Sequence, residues 1–359
     1  MPAARVAIIG AGIGGLAAAV SLATAGLDVQ VFERAATPGG KLRQLEVGGA
    51  QLDAGPTVFT MRPVFEAMFA ASGASLGDYL TLRPLEVLAR HAWGPRERLD
   101  LYVDRARSAD AIGAFAGPGA ARGYLAFCER AGRVHDAMTA SFMTVPRPSP
   151  MGLLASAGLR GLTAASPFAT LWQALAEHFP DIRLRQLFGR YATYCGASPF
   201  AAPAILMLIA HVEQEGVWSV EGGMHAIAQA FAALLAARGG RLRAEAEVAE
   251  ITAGSGRATG LVLADGERVA ADAVLVNADV AALAAGRFGA AASGAVPGAD
   301  RVERSLSAVT WAVRARADGF PLVRHNVFFS RDYQPEFDAI FRDRRLPAEP
   351  TVYLCAQDR

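Results

Sequence analysis

The sequence is short of charge and of cysteine, and each scarcity excludes something. Only 19% of the 359 residues are charged, and 35 basic against 34 acidic side chains leave a net charge of +1. The two signs are mixed along the chain, so there is no basic footprint for nucleic acid. The three cysteines, Cys128, Cys195 and Cys355, stand far apart with no CxxC or metal-ligand spacing. They read as buried thiols of a reducing compartment, and no metal is expected. No uninterrupted apolar run reaches the ~20 residues of a spanning helix. The apolar N-terminal stretch is broken by glycines and carries no processing site, so it is not read as a signal peptide and the expected location is cytoplasmic. What is abundant is apolar surface. The sequence is 52% hydrophobic with a mean hydropathy of +0.25, above the usual globular range, which calls for a large core or contact with lipid. The length has room for two domains, or for one with a large insertion.

The chain is organised around its first forty-one residues. An apolar run at 6–9 meets the glycine cluster GAGIGG at 10–15, and a small-residue helix follows to about residue 25, with Gly26 as its C-terminal stop. Gly10 permits a turn that no side chain would, Gly12 lets the backbone approach a pyrophosphate, and Gly15 lets the helix pack close to the strand. The first N–H groups of the helix then face an anion. Residues 28–32 return as a strand ending in Glu33, about twenty residues past the glycines, where an acid accepts hydrogen bonds from a ribose hydroxyl pair. Strand, turn, helix and acid together predict a dinucleotide site, against the alternative of a glycine-rich turn with no ligand. An acid at position 33 argues against a 2′-phosphate and for FAD or NAD.

Residues 6–41 resemble the long dinucleotide fingerprint of two-domain flavoproteins: the glycine cluster, Leu16, Ala19 and Leu22 on the helix, then Glu33 and, beyond it, Gly39-Gly40-Lys41. That superfamily includes amine oxidases, carotenoid desaturases and Rab escort proteins, and the resemblance implies FAD. An ordinary turn after Pro38 is the plain reading of the glycine pair. Further on, Asp53, Gly55, Pro56 and Thr57 form a small-residue strand exit at the end of the sheet where ligands of such folds lie. In flavoproteins of this type the segment runs beside the isoalloxazine; the alternative is a plain loop broken by Pro56.

A short amphipathic helix is expected at 63–71. Strands at 85–88 and 99–103, about a turn at Gly94-Pro95, then mark the departure into a second domain. Arg83, Arg90, Arg96 and Arg98 read as solvated charges. A helix over 120–143 repeats Tyr124, Cys128, Ala131, His135, Met138 and Phe142 on one face, with His135 as a core histidine and Arg130 pointing elsewhere. Three prolines precede residues 151–175, whose one charge is Arg160. That stretch is either a pair of buried helices lining a pocket or a surface piece dipping into lipid. A helix at 202–213, a strand and Gly222-Gly223 turn feeding another helix, a strand at 242–251, a hairpin across Asp265-Gly266 and a strand at 272–277 complete the nucleotide domain.

Residues 190–223 and 261–279 resemble the bacterial carotenoid desaturases of the phytoene-desaturase type, through GASPFAAPA, GVWSVEGGMHAIAQA and a final VNAD. HNVFFSRDYQPEFDAIF at 325–341, with TVYLCAQDR, is closer to the branch that dehydrogenates 1-hydroxycarotenoids at the 3,4 position, such as hydroxyneurosporene or methoxyneurosporene. The resemblance implies an α/β fold: a Rossmann-like FAD-binding domain at 1–80 and 216–285, split by an α+β substrate domain at 81–215 and 286–359. It implies an apolar polyene substrate, no nucleic acid, and peripheral attachment to the inner face of the membrane where the substrate dissolves. By position, Gly10, Gly12, Gly15, Glu33, Gly40 and Lys41 carry over as pyrophosphate and ribose contacts, Val248 as the strand residue that meets adenine, and Gly55, Pro56 and Thr57 as flavin neighbours.

The chemistry implied is hydride loss from an allylic carbon to the flavin with a proton lost to a base or water, and no catalytic side chain is assigned. The family's closing glycine-rich segment is missing before Arg359, so the expectation is a C-terminally truncated chain with an incomplete FAD site. The alternatives carried are a phytoene desaturase, an amine oxidase-type enzyme on the same fold, and a non-catalytic, lipid-binding escort-type protein.

Overall fold

The computed structural model describes residues 3–139, 169–302 and 304–359. In chain order the described elements begin β1 (Arg5–Ile9), α1 (Ile13–Thr24), β2 (Asp28–Phe32), β3 (Gln44–Val47), β4 (Ala50–Asp53) and α2 (Arg62–Ala71). β5 (Leu82–Pro84), β6 (Val87–Ala92), β7 (Arg98–Tyr102), α3 (Arg105–Ala116) and α4 (Pro118–Met138) follow. Next are α5 (Leu171–Ala176), α6 (Ile182–Gly189), α7 (Tyr191–Tyr194), α8 (Leu208–Gln214), β8 (Trp218–Val220), α9 (His225–Ala237), β9 (Arg241–Arg243) and β10 (Val248–Gly254). The chain continues through β11 (Arg257–Leu263), β12 (Arg268–Ala270), β13 (Ala273–Val276), α10 (Val280–Ala284) and α11 (Ala290–Ser293) to β14 (His325–Phe328), α12 (Tyr333–Phe337) and β15 (Val352–Cys355). They divide into two compact units. One comprises Met1–Arg83, Ser219–Arg304 and Thr310–Arg314, the other Pro84–Trp218, Ser305–Val309 and Ala315–Arg359.

The first unit is built on a parallel sheet ordered β13-β1-β2-β9. Ile8, Val29 and Val31 are fully buried, as expected of parallel strands covered on both faces. The register sets Ile8 beside Val31 on one side and Leu275 on the other, so the strand ends carrying Gly10, Glu33 and Asn277 finish at one edge of the sheet. A three-stranded antiparallel sheet, β10-β11-β12, shares a core with it: Ala7, Ile9 and Phe32 meet Val248, Ile251, Leu261 and Leu263.

Two expectations change in this unit. Residues 242–251 are two strands, because Glu245 turns the backbone left-handed at φ 53° and sends β9 into the parallel sheet and β10 into the antiparallel one. Residues 286–304 stay with the first unit, since Phe288, Ala292 and Val296 pack on that shared core. The hairpin across Asp265-Gly266 forms β11 and β12, with Val262 opposite Arg268.

The second unit holds a sheet ordered β15-β14-β6-β7, in which only the β14–β6 pairing is parallel. Its helices close on an aromatic core in which Phe188 lies 4.8 Å from both Phe127 and Phe179. Arg130 faces this interior: it is 8% exposed and pairs with Glu177 at 2.7 Å. Arg90 is likewise no solvated charge, since its guanidinium grips Asp100 through two 2.7 Å bonds and is largely buried. Cys128 is buried as expected, whereas Cys195 is exposed.

Of the apolar stretch 151–175, residues 151–168 lie outside the described residues. The rest starts α5, where Leu171 and Leu175 are fully buried and the Trp172 ring packs 4.6 Å from Phe200, so this end belongs to the core. Among the described residues no helix is long and apolar enough to cross a membrane.

Two buried histidines make this unit acid-sensitive. His325 lies on β14 with Nδ1 2.7 Å from the Tyr353 hydroxyl, and burial, with Arg324 and Arg190 nearby, pushes its pKa from 6.5 down to about 4. His91 on β6 is pushed well down by burial and then by Arg190. Both are neutral in the fold and bind protons on unfolding, so the unfolded chain holds more protons below pH 6.5 and stability falls with pH. The stability His325 contributes is complete above pH 6.5 and lost progressively down to about 4, and His91 acts in the same direction. His325 alone accounts for about 3 kcal/mol over that window. Denaturant midpoints measured from pH 7 to 4.5 should fall for the native protein, with a smaller slope for His325→Gln.

Candidate dinucleotide site

The glycine cluster forms the connection from β1 to α1, and its shape follows from what a side chain would strike. Gly10 has φ 95°, and a Cβ there would stand 2.8 Å from the Asn277 carbonyl oxygen. A Cβ on Gly15 would overlap the Gly10 carbonyl oxygen, so the first turn of α1 folds directly onto the loop. Gly12 is the N-cap of α1 in an extended conformation; no side chain caps the helix and no acid stands in its first turn. An uncapped, acid-free N-terminus approached through bare glycine backbone suits a phosphate.

Glu33 ends β2 beside this loop. It is 8% exposed, with Oε2 accepting from the Ala11 N–H at 2.8 Å and Oε1 from the Ala35 N–H at 2.9 Å. These bonds fix the carboxylate and leave each oxygen a further lone pair for a hydroxyl donor. Gly39, Gly40 and Lys41 come to the same place. The Gly39 N–H donates to the Ala11 carbonyl at 2.8 Å, Gly12 and Gly39 bridge in parallel, and a Cβ on Gly40 would lie 3.1 Å from Gly12 Cα. Lys41 is exposed there; after Arg304 and the Ala281 N–H, which do most to hold the Asp279 carboxyl below its ordinary value, its charge adds the smallest share.

Other sequence-derived positions take different roles in the packing. Gly55 is required by its own neighbour, because a Cβ would overlap the Lys41 carbonyl oxygen; Pro56 is exposed and Thr57 half-buried. The Val248 side chain is 7% exposed within the shared core, opposite Leu263. Asp53 is an anchor: its carboxylate accepts from the N–H groups of Met224 at 2.7 Å and His225 at 3.2 Å, capping α9 from β4. A Cβ on Gly223 would stand 2.6 Å from that carboxylate, which accounts for the second glycine of the Gly222-Gly223 turn.

Asn277 is the residue that the motif reading passed over. It follows β13, its N–H donates to the Ile9 carbonyl at 2.8 Å, and its side-chain amide lies where Cβ atoms on Gly12, Gly14 and Gly15 would be, at 3.2, 2.9 and 2.9 Å. It buttresses the loop from beneath. Its signal was the end of a third strand whose partner is β1, which only the sheet order reveals.

A parallel sheet, a glycine loop at a helix N-terminus, an acid at the next strand end and a Gly-Gly-base segment folded onto the loop define a dinucleotide-binding α/β flavoprotein. Known proteins agree. The family described as flavin containing amine oxidoreductase matches residues 13–304. Hydroxyneurosporene desaturase from Rubrivivax gelatinosus is 54% identical over 99% of this chain and 68% of its own length. The protein of the same name from Cereibacter sphaeroides is 45% identical over 99% of this chain and 72% of its own. A putrescine oxidase variant shares the fold at a TM-score of 0.55 and 19% identity, over 79% of this chain and 59% of that one. The chain belongs to the flavin containing amine oxidoreductase family, in its carotenoid desaturase branch. Its cofactor is FAD.

Proposed function

We propose that the protein introduces a 3,4 double bond into an acyclic 1-hydroxy- or 1-methoxycarotenoid. The observation that carries this is identity of 54% and 45%, sustained over 99% of the chain, to two desaturases named for hydroxyneurosporene. FAD, when bound, supplies the hydride acceptor for a carbon–hydrogen bond beside a conjugated chain.

The chain's own residues bind and orient. Gly10, Gly12 and Gly15 with the α1 N-terminus receive the pyrophosphate, and Glu33 accepts from the ribose hydroxyls through its remaining lone pairs. Gly40 and Lys41 complete the phosphate side. With its side chain committed to the core, Val248 meets adenine through its main chain, while Gly55, Pro56 and Thr57 line the ring end. Lys41, the one lysine in the 359 residues, stands at the glycine loop. A carotenoid is almost insoluble in water, which supports peripheral contact with the inner face of the membrane.

The test is co-expression with acyclic carotenoids and a reading of the pigment spectrum. A shift to longer wavelength with 1-hydroxycarotenoids and none with phytoene is the expected result. Conversion of phytoene instead would move the protein to the phytoene-desaturase reading.

A further inference from the structure

The second unit carries a side-chain cluster that flavin chemistry does not use. His135 stands on α4, while His211 and Glu215 lie one helical turn apart at the end of α8 and therefore share a face. One candidate ligand atom from each lies within 4.8 Å of the other two. The imidazole rings are 4.6 Å apart, and His211 Nε2 is 3.6 Å from Glu215 Oε1. Gly132, one turn before His135, makes room for this approach, since a Cβ there would stand 3.3 Å from His211 Nδ1.

The arrangement is poorly satisfied as it stands. His135 Nδ1 and His211 Nδ1 are buried without a hydrogen-bond partner; His135 Nδ1 is 3.5 Å from Asp136 Oδ1, outside hydrogen-bond geometry. Two imidazoles packed together gain nothing from each other by protonation, because their charges would repel. His135 Nε2 has the Thr139 hydroxyl at 3.4 Å, so the Nδ1 atoms are the ones left over, and a cation that takes one lone pair from each ring and one from the carboxylate would satisfy the cluster by turning the rings. Two imidazole nitrogens and one carboxylate oxygen are a three-ligand set for a divalent metal of borderline softness, with one position left for water.

We propose that His135, His211 and Glu215 bind a divalent transition-metal cation, Zn²⁺ foremost, that ties α4 to α8. Metal–ligand bonds of about 2.0–2.2 Å bring tetrahedral ligand atoms to roughly 3.3–3.5 Å from one another. The ligand atoms, now up to 4.8 Å apart, therefore close by up to about 1.4 Å on binding, within the reach of χ rotation for a half-exposed Glu215 and two rings at a helix seam. Binding involves no redox step; it clamps two helices that already pack on each other and stand 69 residues apart in sequence, 139–207.

The experiment is titration of the chelator-treated full chain with Zn²⁺ by calorimetry and with Co²⁺ by visible absorption. The expected result is one ion per chain, the visible bands of four-coordinate Co²⁺, and a rise in Tm that chelator reverses. Glu215→Gln and His211→Gln should each weaken binding at least about tenfold. Glu215 is exposed, so Glu215→Gln keeps the fold and separates loss of the metal from loss of structure. Absence of both heat and visible bands at millimolar metal, or equal affinity in the wild type and both variants, overturns the proposal.

Discussion

Gly15→Ala is expected to abolish FAD binding. The added Cβ overlaps the Gly10 carbonyl oxygen and lies 2.9 Å from the Asn277 amide, so the loop cannot stay closed against α1. Opening it displaces the N–H groups at the start of the helix, and a pyrophosphate held by main-chain donors has no side chain to compensate. A fall in affinity of at least about a hundredfold, on the order of 3 kcal/mol, is expected. Gly26→Ala is the control: Gly26 also has a positive φ, 85°, but nothing lies within 4 Å of an added Cβ. It should cost stability of about 1 kcal/mol and leave flavin content unchanged. Flavin absorbance per mole of purified protein separates the two outcomes; a Gly15→Ala protein with stoichiometric FAD would mean that the loop is not the phosphate site.

The second large effect is expected in the other unit. Glu213 is 5% exposed and accepts from Arg190, from the Tyr191 hydroxyl at 2.8 Å and from the Tyr194 hydroxyl at 2.7 Å. Arg190 is itself 7% exposed, so Glu213→Ala leaves a buried guanidinium without its carboxylate, with only the Tyr194 hydroxyl still accepting from it, and leaves the buried Tyr191 hydroxyl without its acceptor. Removing one partner of a buried ion pair destabilises by about 3–5 kcal/mol, whereas replacing both by apolar groups of similar shape is far less harmful. Glu213→Ala should therefore lower the denaturant midpoint sharply, and the double variant Arg190→Met with Glu213→Leu should recover most of it. A single-variant loss below about 1 kcal/mol would show that the pair is solvated and that Arg190 is not a buried charge.

The parts that could be read from sequence are those whose cause is local. The β1–α1–β2 unit is written in consecutive residues: a buried strand, glycines where turns require them, a small-residue helix and an acid at the next strand end. The Asp265-Gly266 hairpin was equally plain. What escaped depends on partners far along the chain. Asn277 buttresses the glycine loop from a strand 267 positions after Gly10, and Asp53 caps α9 from 171 positions before Met224. Arg130 points into the interior although its partner, Glu177, stands 47 residues further along and is itself exposed. Glu245 gave no glycine or proline signal for the left-handed turn that divides β9 from β10. His135 packs inside as the helix periodicity implies, but that its neighbour is His211 could not be read from one helix alone.

Anaerobic mixing of the purified flavoprotein with a 1-hydroxycarotenoid tests the central claim most directly. The account predicts bleaching of the oxidised flavin absorbance together with a shift of the polyene bands to longer wavelength, and no bleaching with amines. Bleaching by an amine with no response to the polyene, or a purified protein that carries no flavin, would contradict it.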